Sequence, residues 1–327
     1  MKGIVYDSFG PAEVLHVADV PEPKMRPTDL LVRVKAAGVN RADILQRTGA
    51  YSNQTFGESE LLGLELAGEV IAVGSEVRDM AVGTRVMAIV GGGAYAEVAR
   101  VDRHMAVEIP NGISFVEAGA IMEAFVTAFE AVSYLAGVSA GKNVLIHGAA
   151  GGIASACVQV AYALGARVYA TAGAARIKDV RSIGASEVID YRSGDFEAVI
   201  LQSTAGEGVD AVIDFVGGDY LARNLRCLKP GGTLVQVGIL SRQFEPTIPL
   251  NLVLHKHLRV VGTVMKSRSA NEKQTMVRRF AEGVLPLFRA GTIRPLVDRV
   301  LPLEKAGEAH SRMENGGGFG KIVLTVD

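Results

Sequence analysis

The stretch Asn143-Val-Leu-Ile-His-Gly-Ala-Ala-Gly-Gly-Ile-Ala154 holds the residue types and spacing best suited to binding an anion. Gly148, Gly151 and Gly152 follow an apolar run, Val144-Leu145-Ile146, and precede a run of helical spacing from Ser155 to Leu164. A buried strand, a tight glycine turn and a helix start direct free backbone N–H groups and the positive end of a helix at a phosphate. The spacing Gly148-x-x-Gly151-x-x-Ala154 departs from the strict G-x-G-x-x-G fingerprint. By itself it suits a tight strand–helix connection without a ligand as well.

The next expected strand says which nucleotide such a turn would take. A dinucleotide site commonly ends its second strand with an acid that holds the ribose 2′-hydroxyl. Here Arg167-Val-Tyr-Ala-Thr-Ala172 runs into Gly173-Ala-Ala-Arg176, with neither Asp nor Glu. A carboxylate repels a 2′-phosphate, whereas Arg176 can pair with one, and Lys178 is a second candidate. Each charge alone is equally well read as a solvated residue at a helix start. Missing acid and nearby arginine together favour NADPH. Tyr191, after the third strand of this series, either lies against the ribose phosphate or packs on the sheet.

These residues must be placed by an alternating chain. After a capping box at Ser114-Phe-Val-Glu117, a long helix is expected through Ala118, Ile121, Phe125, Phe129 and Val132. Strands at 143–147, 167–172, 187–190, 209–214, 233–238 and 258–263 then alternate with segments of helical length. That order implies a doubly wound parallel sheet with its ligand site at the strand carboxyl ends. Residues 1 to about 110 read instead as β-rich, with strands Gly3–Tyr6, Leu15–Val20, Asp29–Ala37, Glu65–Val73, Arg85–Ile89 and Tyr95–Val101. One short helix interrupts them, Asn40 to Gly49, with a polar loop behind it. A second capping box, Ser269-Ala-Asn-Glu272, opens a helix to about Ala290, a further helix covers Leu303–Glu314, and strands return at Arg299–Leu301 and Ile322–Val326. The expected division is a substrate domain over 1–124, completed by 267–327, around a nucleotide domain over 125–266.

Composition narrows the function. The 327 residues carry a net charge of −1, which leaves no electrostatic footprint for nucleic acid or an anionic membrane. No apolar run approaches the roughly 18–20 residues of a membrane span, and Met-Lys-Gly-Ile-Val-Tyr leads straight into a strand rather than a signal peptide. The two cysteines, Cys157 and Cys227, have no metal-ligand spacing and read as small core residues in a reducing, cytoplasmic setting. The six histidines form no relay; His147 ends a buried strand as a satisfied core residue, and His255 and His257 fall in a solvated basic segment. Gly91–Gly93 lacks a following helix and reads as a loop beside a site rather than a phosphate loop.

Several segments together resemble the medium-chain dehydrogenase/reductase superfamily: Gly38-Val-Asn-Arg-Ala-Asp43, Gly63-Leu-Glu-Leu-Ala-Gly68, Gly83-Thr-Arg-Val86, Val144–Ala154 and Phe319-Gly-Lys-Ile-Val-Leu324. Narrower matches, Asn40 to Tyr51, Gly91-Gly-Gly-Ala-Tyr95 and Ile121 to Phe129, resemble its quinone oxidoreductases, above all the tumour-suppressor-inducible branch, a cousin of zeta-crystallin. The resemblance implies a Rossmann NADPH domain, a β-rich GroES-like substrate domain and a homodimer joined through edge strands. It implies cofactor contacts from Asn40 and Thr127, from Gly148, Ala150, Gly151, Gly152 and Ile153, and from Gly173, Arg176, Lys178 and Tyr191. Val216, Gly238, Ile239 and Phe319 complete that implied set.

Where the zinc-dependent members carry a ligand Cys, this chain has Asn40, and where they carry the His of Gly-His-Glu it has Leu64. Their four-cysteine lobe has no counterpart here, so chemistry through a zinc ion is not expected. The expected reaction is hydride transfer from NADPH to a quinone in a cleft between the domains. Reduction of an activated alkene, an enone or enoyl thioester, uses the same geometry and is the alternative. NADPH-regulated RNA binding of the zeta-crystallin type is a third reading, which the near-neutral charge disfavours. For the negative charge that develops, Asn40 offers an amide and Tyr51 a phenol. Asn40 is otherwise a helix cap and Tyr51 a packing aromatic, while Asp43 and Arg41 are expected in structural contacts. Thr127 either bonds the nicotinamide or bonds back to its own helix.

Overall fold

The computed structural model describes residues 1–50 and 59–326, so Tyr51 and most of its loop lie outside the described residues. Two compact units result, one from 1–126 with 266–327 and one from 127–265.

The first unit is β-rich. Strands β1 (Lys2–Val5) and β2 (His16–Asp19) form a two-stranded antiparallel sheet. A larger sheet is built on β3 (Asp29–Gly38), β4 (Glu65–Val73), β5 (Arg85–Ile89), β6 (Val98–Asp102) and β7 (Ala106–Glu108). Alternate side chains of β3 (Leu30, Val32, Val34, Ala36) are fully buried, the period-two signature of a strand with one face on a core. Leu66 and Val70 of β4 and Val86 and Ala88 of β5 join the same core.

The second unit is a six-stranded, all-parallel sheet of β8 (Asn143–Ile146), β9 (Arg167–Ala172), β10 (Glu187–Asp190), β11 (Val209–Asp214), β12 (Leu228–Gln236) and β13 (Arg259–Gly262). The order is β10-β9-β8-β11-β12-β13. The winding therefore reverses between β8 and β11, the switch point at which open α/β sheets leave a crevice at the strand carboxyl ends. Val144, Leu145 and Ile146 are fully buried, which explains a strand read as one continuous apolar run.

The chain then returns to the first unit with β14 (Val297–Pro302) and β15 (Lys321–Thr325), β15 pairing antiparallel with β3. A buried ammonium sits where β15 begins. Lys321 Nζ donates to Val39 O at 2.8 Å and to Asn40 Oδ1, and forms an ion pair of 2.7 Å with Glu65 Oε1 of β4. One side chain thereby ties β15, β4 and the end of β3.

Two helices expected as continuous are broken. Beyond Ser114 the chain forms a short helix Phe115–Ala118, turns at Gly119–Ile121, resumes as a helix Met122–Phe129 and widens to a π-helical segment, Glu130–Leu135. Gly119 is packed so close to β3 that a Cβ there would meet that of Ala36 at 3.0 Å, and the turn accommodates the approach. Beyond Ser269 the helix ends at Gly283, and Leu285–Arg289 forms a separate one with Pro286 in its first turn, where proline is tolerated.

Removing one partner of a buried ion pair leaves a desolvated charge. Lys321→Met is therefore expected to lower unfolding free energy by about 3–5 kcal/mol, and adding Glu65→Gln to recover part of the loss. Urea denaturation of the single and double variants reads the difference; a double variant no more stable than the single would show that Glu65 is not the charge being compensated.

Candidate active site

In the second unit the glycine turn leaves β8 at His147. Gly148 has φ +64°, a backbone that L side chains rarely adopt, and no other part of the chain lies within 4 Å of the position of a Cβ there. At Gly151 such a Cβ would meet only Gly148 O, at 3.4 Å. The turn is held from below, Gly148 N–H donating to Thr171 Oγ1 at 3.2 Å and Ala149 N–H to Thr171 O at 2.9 Å. Gly151 caps the helix Gly152–Ala163, whose first amides, Gly152, Ile153 and Ala154, have no acceptor one turn earlier. Ala154, Ser155, Ala156 and Cys157 are buried, so the helix presses closely on the sheet. An open cradle at a helix start, lined by unpaired amides, fits a dinucleotide's phosphates.

The strand next to it supplies the adenosine end. Gly173 opens a short 3-10 turn, Ala174–Arg176, and a Cβ on it would meet only the Tyr191 ring, Cε1 at 3.8 Å. Gly173, Arg176 and Tyr191 thus lie together at the carboxyl ends of β9 and β10. Arg176 Nη1 donates to Asp179 Oδ2 at 3.0 Å, and Lys178 is exposed on the following helix. The acid that ends β10, Asp190, is turned to the Ser193 hydroxyl and the Arg192 N–H, and its carboxyl is held below its usual range by those bonds.

Across the switch point, Val216 N–H donates to Asp214 Oδ1 at 2.7 Å, and Leu240 and Ser241 N–H donate back to Phe215 O and Val216 O. Gly217 faces Ile239, where a Cβ would meet Ile239 Cγ2 at 3.2 Å. Val216, Gly238 and Ile239 therefore form one knit rim at the ends of β11 and β12. Thr127 belongs to the same unit and is buried on the helix Met122–Phe129.

Asn40 and Phe319 belong to the first unit. Phe319 precedes β15, its N–H on Asp298 Oδ1 at 3.0 Å. Asn40 stands at the N-terminus of the helix Arg41–Arg47 and forms a capping box with Asp43. Its Nδ2 donates to Glu65 Oε1 at 3.0 Å and to Gly38 O at 3.3 Å, while Lys321 holds its Oδ1. Asp43 accepts the Asn40 N–H at 2.8 Å and also Gly63 N–H and Tyr95 OH. Arg41 Nη2 donates to Met313 O.

Three titratable groups of this unit are shifted toward neutrality. Burial raises Asp43 to about 6 against the opposing bond from Asn40. Burial and then the Glu65 charge raise Glu123 to about 7. Burial lowers Lys266 to about 8. Shifted groups of this kind gather at functional sites. The sequence reading missed this cluster and the chain behind it, Arg47, His310 and Tyr95, all three buried. A lysine opening an otherwise apolar strand, Lys321-Ile-Val-Leu, was the signal.

Residues 26–111 match the family described as Alcohol dehydrogenase GroES-like domain, and residues 183–324 the one described as Zinc-binding dehydrogenase. Over its full length the chain is 31% identical to human quinone oxidoreductase and covers 98% of it. The chain belongs to the medium-chain dehydrogenase/reductase family of oxidoreductases. Escherichia coli quinone oxidoreductase solved with NADPH is similar at a TM-score of 0.88 and 28% identity, with 100% of both chains covered. The CurK enoyl reductase is similar at a TM-score of 0.89 and 26% identity, over 100% of this chain and 99% of that one. Streptomyces halstedii polyketide synthase GfsB is 33% identical over 295 residues, which is 90% of this chain; across three such synthases the chain spans 5% to 15% of their length.

The zinc in the second family description does not fit the donors of this chain. Asn40 offers an amide already held at both ends, Leu64 no donor, and the Glu65 carboxylate is paired with an ammonium. Among the described residues no three His, Cys, Asp or Glu side chains converge to hold a metal ion.

Glu123 gives a stability prediction. Its folded value near 7 lies above the ordinary 4.5, so the fold favours the protonated acid, and this contribution is lost as pH rises through about 7. Glu123→Gln is therefore expected to gain in relative stability from about pH 4.5 upward and to level off above about 7, by about 2 kcal/mol, since the residue is half-buried by accessible surface. Denaturation midpoints at pH 5, 7 and 8.5 (about the range set by these values) check it; a variant less stable at the highest pH would mean the ionised carboxylate is the favoured form.

Proposed function

We propose that this chain is an NADPH-dependent quinone reductase that works without a metal ion. The observation that carries the reading is the open glycine cradle at the start of the helix Gly152–Ala163, with Arg176 and Tyr191 beside it and no acid at the end of β9. The similarity to quinone oxidoreductases, one of them solved with NADPH, supports it.

When bound, NADPH supplies a hydride, and with one proton from water the acceptor becomes a hydroquinone. The amides of Ala150, Gly152 and Ile153 would hold the pyrophosphate, with Gly148 and Gly151 leaving room for it. Gly173, Arg176, Lys178 and Tyr191 take the adenosine 2′-phosphate. Val216, Gly238, Ile239 and Thr127 of the second unit would shape the nicotinamide end. Asn40 serves the acceptor: the longer of its two donated bonds, 3.3 Å to Gly38 O, is the one an acceptor oxygen replaces as charge develops there. The Lys321 ammonium behind its Oδ1 polarises the amide for that role. Tyr51 supplies the second donor.

A second reading, reduction of an activated alkene, rests on the similarity to the CurK enoyl reductase and needs the same residues. We also propose a cytoplasmic homodimer. The outer edge of β13 carries no strand among the described residues, and Val260, Val264, Leu250 and Leu254 stand exposed around it. No helix among the described residues is long and apolar enough to cross a membrane.

A steady-state panel tests the function. With NADPH, para- and ortho-quinones are expected to turn over faster than enones, and NADH to be the poorer donor. Arg176→Ala is expected to raise KM for NADPH about 10-fold and leave NADH unchanged, the Asp179 pairing setting the modest size. Faster enone turnover would favour the alkene reading, and equal losses for both donors would make Arg176 structural.

A further inference from the structure

Beneath the cradle, between β8, β9, β11 and the helix Tyr220–Cys227, lies a chain of polar side chains that the reaction itself does not use. His147 and Asn224 are fully buried, as is Asp214, and Thr171 is 1% exposed. His147 Nδ1 lies 3.0 Å from Thr171 Oγ1, and Nε2 lies 2.8 Å from Asn224 Oδ1. Asn224 Nδ2 donates to Asp214 Oδ2 at 3.0 Å, and the Asp214 carboxylate also accepts from the N–H groups of Val216 and Gly217.

The direction of every bond follows from one constraint. A carboxylate only accepts, so Asn224 turns its NH2 to Asp214 and its oxygen to His147. An amide oxygen only accepts, so His147 carries its proton on Nε2. Its bare Nδ1 then accepts a hydrogen bond from the Thr171 hydroxyl, which leaves the Thr171 oxygen to accept the Gly148 N–H at 3.2 Å. The chain is continuous from the first amide of the phosphate turn to the turn that bears Val216. Burial and the nearby Arg223 hold the imidazole below its ordinary range, against the Asp214 charge and the Asn224 bond, in keeping with one ring proton. Phe196 and Tyr220 clasp the ring edge-on, with centroids at 4.7 Å and 4.9 Å.

We propose that His147 is a positioning residue for the dinucleotide: through Thr171 on one side and Asn224–Asp214 on the other, it fixes the phosphate turn after β8 relative to the nicotinamide rim after β11. This rests on the dinucleotide reading given above. The two turns come from strands either side of the switch point, and a cofactor that bridges them binds well only if their separation is set in advance. With Gly148 and Ala149 held inward by Thr171, the amides that follow are left facing out.

The tautomer and the binding are tested separately. In uniformly ¹⁵N-labelled wild-type protein without nucleotide, the His147 ring is expected to show the Nε2–H form; an Nδ1–H form overturns the assignment. In Thr171→Val, NADPH affinity measured by nucleotide fluorescence is expected to fall about 10-fold, while 2′-AMP, which bears no pyrophosphate or nicotinamide, binds as before. Thr171→Ser, which keeps the hydroxyl, is expected to restore NADPH binding. Equal losses for NADPH and 2′-AMP, or unchanged NADPH affinity in Thr171→Val, overturn the positioning role. Wild-type protein that binds neither NADPH nor NADH overturns the cofactor reading and the inference with it, whereas a wild type that binds while Thr171→Val binds equally overturns the inference alone.

Discussion

The first unit depends on how a single ammonium is kept out of water. Lys321 is almost wholly buried, and a buried lysine persists only with acceptors around it. Glu65 at the start of β4, and Val39 O and Asn40 just beyond β3, are those acceptors, all far in the chain from Lys321. Asn40 also shares a capping box with Asp43, and Tyr95, His310 and Arg47 line up behind Asp43.

The second unit is governed by a reversal of winding. Strands β8 to β10 proceed one way from the middle of the sheet and β11 to β13 the other, so the loops after β8 and β11 diverge and leave a crevice. The glycine turn and the Asp214–Gly217 turn are its two walls. Both are held from within, the first by the hydroxyl and backbone oxygen of Thr171 and the second by the Asp214 carboxylate.

The doubly wound sheet and the β-rich unit were legible because periodicity and glycine turns are local signals. The run Val144–Ile146 and the strands 167–172, 187–190 and 209–214 stand where they were expected, while their order across the sheet comes from the structure. Breaks within helices were less legible: apolar spacing continues across Gly119–Ile121, and only the close approach of β3 explains the interruption. The bond partners of Asn40 were illegible for a different reason. Its amide is claimed by residues 25 and 281 positions away, and no local pattern announces a contact of that range. His147 was legible as a satisfied residue, but its partners on three other elements were not.

The central claim is that this fold transfers hydride from NADPH with its own side chains in place of a metal. The most direct measurement is a single turnover of protein dialysed against a strong chelator and assayed for metal content. Mixed with one equivalent of NADPH and excess quinone, metal-free protein is predicted to oxidise the nicotinamide in full, at a rate unchanged by added zinc. Turnover that vanishes with the metal and returns on adding zinc would contradict the account.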